Sequence, residues 1–309
     1  MMKRLIILNP ASRNGAAKKT FFAQKARWKE LLGDFEVYHT TGPGDATREV
    51  TKVLRKRTAD QILIAGGDGS INEASRGYWH DGKLIRDDVP LGIINLGTGG
   101  DFYKSVTSAS EDYEAALVEN RFTRIDSALV RDDLIIERTF LNISSVGLAG
   151  EMLGRLKVSS FQKGAGAYFY HTLRSLISYE PREVKVLWED EHGETQTRDT
   201  ELINGFVCNG RYSGGGMQWA PLAELNDGLL RVTLITGRKK LSLILQSRKL
   251  YAGGIEQFPG AETFAARRVR FCFKEPVSLE TDGEPVENKS EGPVEFEYSV
   301  QEKSFPLNL

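Results

Sequence analysis

An acidic residue stands inside a glycine-rich stretch, Gly66–Glu73, which reads GGDGSINE. This stretch directly follows Ile62–Ala65, an apolar run that predicts a buried strand. Glycines let the backbone approach a ligand closely, and free N–H groups at the start of a helix attract phosphate. Because phosphate repels a carboxylate, Asp68 is suited to face a magnesium ion, its water shell or a hydroxyl to be activated. The alternative is an ordinary Asp-Gly turn that caps the helix.

Two further polar loops follow predicted strands. Leu96–Phe102 reads LGTGGDF and opens another helix, and Asn9–Gly15 reads NPASRNG after the first strand. Thr98 offers a hydroxyl to phosphate, and Asp101 is able to cap its helix or act as an acid. Loops at the carboxyl ends of parallel strands flank one crevice. Three such loops together therefore predict a nucleotide-binding crevice.

Several common catalytic motifs are missing from the sequence. It contains no G-x-x-x-x-G-K-[ST] P-loop, no G-x-G-x-x-G dinucleotide fingerprint and no G-x-S-x-G nucleophile elbow. The four histidines are scattered and lack the short spacings of a zinc site.

The composition is that of an ordinary globular protein, with 40% hydrophobic and 27% charged residues. Lys+Arg number 41 and Asp+Glu 42, and this formal charge of −1 argues against a nucleic-acid partner. The two cysteines, Cys208 and Cys272, form no disulfide framework, which favours a reducing compartment. No apolar run approaches the ~18 residues of a membrane span, and Leu5–Leu8 is too short for the core of a signal peptide. We therefore expect a cytoplasmic enzyme.

The length of 309 residues favours two domains, because a single core stops growing at about 250–300 residues. Up to about residue 127, strand and helix patterns alternate, which predicts an α/β domain with a mostly parallel sheet. The predicted strands are Arg4–Asn9, Phe35–His39, Ile62–Ala65 and Pro90–Leu96, and the predicted helices are Ala16–Leu32, Asp45–Arg57, Ile71–Trp79, Asp101–Val106 and Glu111–Asn120.

After about residue 127, strand patterns follow one another, which predicts antiparallel pairing in a sandwich or barrel. We expect an antiparallel β-sandwich domain over residues 128–291. Turn signals such as Asn226–Gly228 and Asp282-Gly283 separate many of the strands, and as hairpin turns they require no chemistry. Two helical patterns interrupt, Ala165–Tyr179 and Lys239–Tyr251. The predicted strands are Ala128–Val130, Leu134–Ile136, Phe140–Ser145, Val184–Glu189, Leu202–Asn209, Leu229–Ile235, Val269–Phe273, Val277–Glu280 and Val294–Val300.

Taken together, the motifs resemble those of the diacylglycerol kinase catalytic-domain superfamily, which includes sphingosine and ceramide kinases and bacterial soluble lipid kinases. The resemblance covers nearly the whole chain. It implies a nucleotide-binding α/β domain, a β-rich domain, and a last segment, 292–309, that packs back on the first domain. It also implies transfer of the γ-phosphate of ATP to a lipid hydroxyl in the cleft between the domains. The motifs that carry it, in order, are Asn9-Pro10, Gly66–Ser70, Gly97–Phe102, Gly214–Met217, Ala220-Pro221, Asn226–Leu230 and Asp282–Glu284.

The resemblance also implies roles for individual residues. Glu284 resembles the proton acceptor of the bacterial members, and Asp68 and Asp101 resemble the acids of a network that joins Mg²⁺ to the hydroxyl. The implied nucleotide contacts are Asn9, Pro10, Ala11, Ser12, Arg13, Thr40, Gly66, Gly67, Asp68, Gly69, Ser70, Ile71, Asn72 and Thr98.

A structural magnesium site is implied in the second domain by Asp227, with main-chain oxygens of Glu224 and Leu229. Two residues depart from the family pattern. Ser70 stands where threonine is common and keeps a hydroxyl, whereas Gly100 stands where asparagine is usual and lacks an amide side chain. The second departure puts the fine positioning of the loop in question.

Three functions remain open at this point. The leading one is an ATP-dependent lipid kinase, and the alternatives are a kinase with a soluble substrate, as in NAD kinases, and an inactive lipid-binding regulatory protein. Intact Asp68, Asp101 and Glu284 speak against the last, which only Gly100 supports. The sequence does not distinguish diacylglycerol from sphingoid or ceramide lipids, and it leaves the oligomeric state open, a homodimer included.

The expected partner is a lipid at a membrane surface, where the enzyme docks transiently. Basic residues beside the apolar Ala165–Tyr179 stretch would attract anionic lipid, and aromatic residues there would sit at the interface. An ordinary core helix is the alternative. The residues concerned are Arg155, Lys157, Phe161, Lys163, Tyr168, Phe169 and Tyr170.

Overall fold

The computed structural model describes residues 2–132, 137–158, 178–237, 246–286 and 290–309 of the chain. In its first part, strands and helices alternate as the sequence predicts. These elements are β1 (Arg4–Leu8), α1 (Ala16–Leu32), β2 (Phe35–His39), α2 (Asp45–Lys56), β3 (Gln61–Gly66), α3 (Asp68–Arg76), β4 (Trp79–His80), β5 (Lys83–Leu84), β6 (Leu91–Asn95), α4 (Asp101–Ala109) and α5 (Tyr113–Glu119).

The first domain is built around four parallel strands in the order β2-β1-β3-β6. All six residues of β3 are buried, as expected for a parallel strand with both faces covered. Helix α1 buries Phe21, Trp28 and Leu32 in the same core, and Gly33, with a φ of 74°, ends it in a conformation that favours glycine. The predicted bounds of α1 and β2 are confirmed.

The second part is β-rich, and within the described residues its strands pair with one another in antiparallel fashion. Its elements are β7 (Phe122–Asp132), β8 (Glu137–Phe140), β9 (Ile143–Gly147), α6 (Leu148–Val158), β10 (Arg182–Glu189), β11 (Thr195–Cys208), β12 (Tyr212–Ser213), β13 (Met217–Gln218), β14 (Leu230–Thr236), β15 (Ala261–Ala266), β16 (Arg268–Phe273), β17 (Leu279–Thr281), β18 (Glu284–Val286) and β19 (Val294–Asn308). Strand alternation gives the sheet two apolar faces. Val207 of β11 enters one core cluster, and its neighbours Phe206 and Cys208 enter another.

Strands β7 and β19 run through both parts of the molecule and hold them together. They pair with each other over almost their whole length, from Asp132 opposite Phe296 to Phe122 opposite Asn308. The first half of β19 also pairs with β16, whereas Leu307 near its end lies parallel to Leu91 of β6. The predicted boundary at residue 127 therefore falls inside a continuous strand, and the end of the chain lies against the first domain.

Some expectations need correction. Helix α3 begins at Asp68 rather than at Ile71, so the glycine loop itself forms its first turn. The predicted strand Phe140–Ser145 is in fact parts of β8 and β9, because the buried carboxylate of Asp282 binds the backbone N–H groups between them. Helix α6 was not predicted from the sequence.

Other expectations lie wholly or largely outside the described residues. These are the strand Leu134–Ile136, the helix Ala165–Tyr179 up to residue 177, and the first part of Lys239–Tyr251. The same holds for the side chains of the predicted docking surface apart from Arg155, which forms an ion pair with Glu151. Among the residues that the structure describes, no helix is long and apolar enough to cross a membrane.

Candidate active site

The two glycine loops touch each other at the carboxyl edge of the parallel sheet. A Cβ atom on Gly97 would lie only 2.5 Å from Cα of Gly67, so neither loop tolerates a side chain at the contact. Gly69 faces open space, which leaves the first turn of α3 accessible to a ligand. The structure thus brings together the loops that follow β3 and β6.

The loop after β1 joins this edge through Asn9. Its Nδ2 donates to Oγ of Ser70 at 2.9 Å, and its Oδ1 accepts from N–H of Ala11 at 3.0 Å. The hydroxyl of Ser70 packs closely on Gly66: a Cβ atom on Gly66 would lie 2.5 Å from Oγ of Ser70. The same Cβ would lie 3.5 Å from Oγ of Ser12. Asn9 therefore fixes the first loop on the second.

The remaining predicted nucleotide contacts surround the same edge. Arg13 and Thr98 are exposed, and N–H of Thr40 donates to the Leu8 carbonyl at 3.0 Å, which places Thr40 at the end of β2. Asn72 is buried, with neither amide atom paired within the described part of the chain. This unpaired amide lies one turn after Asp68 in α3.

Asp68 and Asp101 both face Gly99. Oδ1 of Asp68 accepts from N–H of Phe102 at 3.0 Å, which ties α3 to α4. Its Oδ2 would lie 3.1 Å from a Cβ on Gly99, and Oδ2 of Asp101 would lie 3.6 Å from it. In the described part of the chain no hydrogen bond engages Oδ2 of Asp68, so this oxygen is free to bind a cation.

Asp101 connects the two domains. It is 7% exposed; its Oδ2 accepts from N–H of Gly215 at 2.8 Å, and its Oδ1 lies 3.2 Å from Nζ of Lys104. Lys104 also lies over the ring of Tyr212, with Nζ 6.0 Å from the ring centroid. Because Gly215 and Tyr212 belong to the second domain, the glycine loop at 214–216 closes one side of the site.

Glu284 contacts α3, the helix that begins at Asp68, at its opposite end. Its Oε2 lies 3.0 Å from Nη1 of Arg76, the last residue of α3, whereas α3 begins at Asp68. At a rise of about 1.5 Å per residue, these ends are ~12 Å apart along the axis. Within the described residues, no hydrogen bond or ion pair joins Glu284 to Asp68 or Asp101.

Arg138 adds a second cation to this region. Burial lowers the pKa of its guanidinium, with a smaller contribution from the charge of Arg76, and the charge of Glu284 opposes both. Arg76 of α3 pairs with Glu284, and the charge of Arg138 in β8 interacts with both. Neither arginine was singled out from the sequence, because each looks like an ordinary surface charge until the two domains meet.

The predicted turn at Asp282-Gly283 is confirmed as a two-residue hairpin between β17 and β18, with φ of 49° and 80°. The carboxylate of Asp282 also accepts N–H groups of Leu141, Asn142 and Ile143 at 3.0–3.1 Å. Burial nevertheless raises its pKa to about 6. The turn therefore anchors the segment between β8 and β9 and fixes the start of β18, where Glu284 stands.

Glu280, on the preceding strand, is a buried acid that sequence analysis missed. It is 5% exposed, and burial raises its pKa to about 7. Its Oε1 accepts from the hydroxyl of Ser145 at 2.7 Å, and its Oε2 accepts from N–H of Gly283 at 2.8 Å. The available signal was an acid at the end of the apolar run Val277–Glu280.

The predicted structural magnesium site does not fit the arrangement around Asp227. Oδ2 of Asp227 lies 2.6 Å from Nη2 of Arg231, and Oδ1 accepts from N–H of Leu229 at 3.0 Å. The Arg231 guanidinium also donates to the carbonyl of Leu222 at 3.2 Å. A built-in cation thus binds Oδ2 of Asp227, and the N–H of Leu229 occupies Oδ1, so both carboxylate oxygens that Mg²⁺ would need already have partners.

A catalytic Mg²⁺ fits better at Asp68. This ion is usually held by one or two carboxylates together with substrate phosphates. The free Oδ2 of Asp68 supplies the carboxylate oxygen, and it lies beside loops that suit phosphate.

Both domains of the chain match known protein families. The diacylglycerol kinase catalytic domain matches residues 3–130, and the YegS C-terminal NAD kinase beta sandwich-like domain matches residues 143–301. The chain is 30% identical over 260 residues to a protein of Escherichia coli named "Probable lipid kinase YegS", covering 80% of this chain and 78% of that protein. It is 29% identical over 252 residues to a YegS-like "Probable lipid kinase" of Pectobacterium atrosepticum, covering 80% and 78%.

Solved structures agree on the fold. A diacylglycerol kinase from Bacillus anthracis superposes with a TM-score of 0.68 at 18% identity, covering 99% of this chain and 96% of that one. At this identity the likeness speaks for the architecture alone.

Proposed function

Because this chain belongs to the YegS-type lipid kinases of the diacylglycerol kinase family, we propose that it transfers the γ-phosphate of ATP to a hydroxyl of a diacylglycerol or sphingoid-type lipid. The observation that carries the proposal is the free carboxylate oxygen of Asp68 beside the joined glycine loops. A phosphate cradle with an acid inside it suits phosphoryl transfer, in which positioning and charge stabilisation do most of the work.

In the proposed reaction, backbone N–H groups at the start of α3 and the hydroxyls of Ser70 and Thr98 bind the phosphates. Asp68 would hold Mg²⁺, which neutralises charge on the phosphate oxygens. The acceptor hydroxyl gives its proton to a carboxylate, Glu284 or Asp68, and its oxygen bonds to the γ-phosphorus. The bond from that phosphorus to the bridging oxygen breaks, and ADP leaves with the electron pair. Lys104 pairs with Asp101, and Arg76 pairs with Glu284.

The test is to incubate the protein with labelled ATP, Mg²⁺ and a panel of lipids in mixed micelles, and to identify the labelled products. The panel contains diacylglycerol, monoacylglycerol, sphingosine, ceramide and phosphatidylglycerol, and NAD is the soluble comparison. We expect label in a lipid and none in NAD. Label in NAD alone would support the soluble-substrate alternative, and no product at all would support the inactive one.

The acceptor lipid is proposed to be met at a membrane surface. Sedimentation with vesicles that contain increasing anionic lipid tests this: binding is expected to rise with anionic lipid and to fall with salt. Absence of vesicle binding, with activity on a short-chain lipid retained, would contradict the membrane proposal and leave the kinase proposal intact.

A further inference from the structure

Gly100 leaves a hollow in the loop between β6 and α4, and the side chain of Asn95 fills it. A Cβ atom on Gly100 would lie 2.4 Å from Nδ2 and 3.1 Å from Cγ of Asn95. On its other side the same carboxamide accepts N–H of Gly97 through Oδ1 at 3.1 Å. The amide thus lies inside the loop, between the glycine that touches Gly67 and the glycine that precedes Asp101.

The backbone at Gly100 has φ of 60° and ψ of 39°, in the left-handed region. Asparagine adopts this region more readily than most residues with a side chain. An asparagine at position 100, where the family pattern expects one, is therefore compatible with the backbone but collides with Asn95. A Cβ at position 100 and the Asn95 amide in its present place would overlap, so we take this part of the loop to hold one amide, from position 95 or from position 100.

The loop that this amide supports carries the site. Thr98 and Gly99 lie between Gly97 and Gly100, and Gly99 is the residue that Asp68 and Asp101 both face. An empty hollow beside Gly100 would let the backbone of residues 97–100 shift, and these carboxylates would lose their alignment.

We propose that Asn95 is a positioning residue for phosphoryl transfer, whose carboxamide replaces the side chain that Gly100 lacks. The kinetic part of this inference rests on the proposed function, and the steric part does not. This role of Asn95 also accounts for Gly100, the only sequence feature that favoured an inactive protein.

The experiment moves the amide from one position to the other. Asn95→Gly is expected to lower kcat at least ~10-fold and to raise KM for ATP, since preorganised groups in such loops contribute strongly to the rate. The double variant Asn95→Gly/Gly100→Asn is expected to recover both constants to within about threefold of the parent. The matched control, Asn95→Gly/Gly100→Ala, adds the Cβ without the amide and is expected to stay slow.

A second measurement needs no turnover. Gly100→Asn alone is expected to lower the melting temperature because of the 2.4 Å collision, and to lower it less when Asn95 is already glycine. Equal destabilisation in both backgrounds, or a double variant as slow as Asn95→Gly alone, would overturn the inference. If the parent phosphorylates no lipid, the proposed function fails, and the melting temperatures and calorimetric ATP binding of the same variants still decide the role of Asn95.

Discussion

Replacement of Glu280 by glutamine is expected to stabilise the protein at neutral and alkaline pH. Burial raises the pKa of Glu280 from 4.5 to about 7 in the folded state. As pH rises from 4.5 to 7, the unfolded chain releases this proton while the folded chain keeps it, so the free energy of unfolding falls. Above pH 7, Glu280 is ionised in the folded state as well, and its buried charge then lowers the free energy of unfolding by the full amount.

The pKa difference gives the size of the effect. Each pKa unit corresponds to about 1.4 kcal/mol, so the rise from 4.5 to about 7 amounts to ~3 kcal/mol. Glutamine is expected to keep both hydrogen bonds, because its amide oxygen can accept from N–H of Gly283 and its NH₂ group can donate to Oγ of Ser145. The variant therefore avoids the cost of a buried charge without leaving an orphaned partner.

The assay is urea unfolding of parent and variant at closely spaced pH values from 4.5 to 8.5. The difference between them reports Glu280 together with its coupling to Asp282, whose pKa is also raised and whose charge acts on Glu280. Glu262→Gln is a control in the same domain, since this carboxylate is 35% exposed in an ion pair with Arg198. If the parent and the Glu280→Gln variant lose stability in parallel as pH rises, the reasoning about the buried acid is refuted.

Three further predictions concern the charged groups. Asp68→Asn is expected to keep the fold and to lower kcat at least ~100-fold, the range for losing an acid–base or electrostatic group, and near-normal turnover would contradict its assignment. Arg76→Gln is expected to lower kcat ~10-fold with KM for ATP unchanged, because Glu284 loses its ion-pair partner. In the Glu284→Gln background the same substitution should cause no further loss of kcat. If the losses of kcat multiply instead, Arg76 has a role independent of Glu284. Arg231→Gln, made in the Asp68→Asn background, is expected to make the melting temperature rise with saturating Mg²⁺, whereas Asp68→Asn alone should not respond. If Mg²⁺ stabilises Asp68→Asn alone, Asp227 binds a cation despite its ion pair.

The order of the elements in the first domain and the position of the glycine loops at the carboxyl edge of the sheet could be predicted from the sequence. Both depend on local properties: an apolar run such as Ile62–Ala65 forms a buried strand wherever it packs, and glycines such as Gly67 and Gly97 allow close contact of backbone. The carboxyl ends of parallel strands share one edge, so the meeting of the loops followed from topology alone.

Tertiary structure decided which charges act together. Arg76 and Glu284 are 208 positions apart, and Asp101 meets Gly215 across the domain contact; no local pattern encodes such pairs. The same holds for Glu280, whose pKa depends on burial by elements distant in the chain. Asn95 shows the limit most clearly, because the sequence reveals that Gly100 lacks an amide, and only the folded loop shows that another residue fills its place.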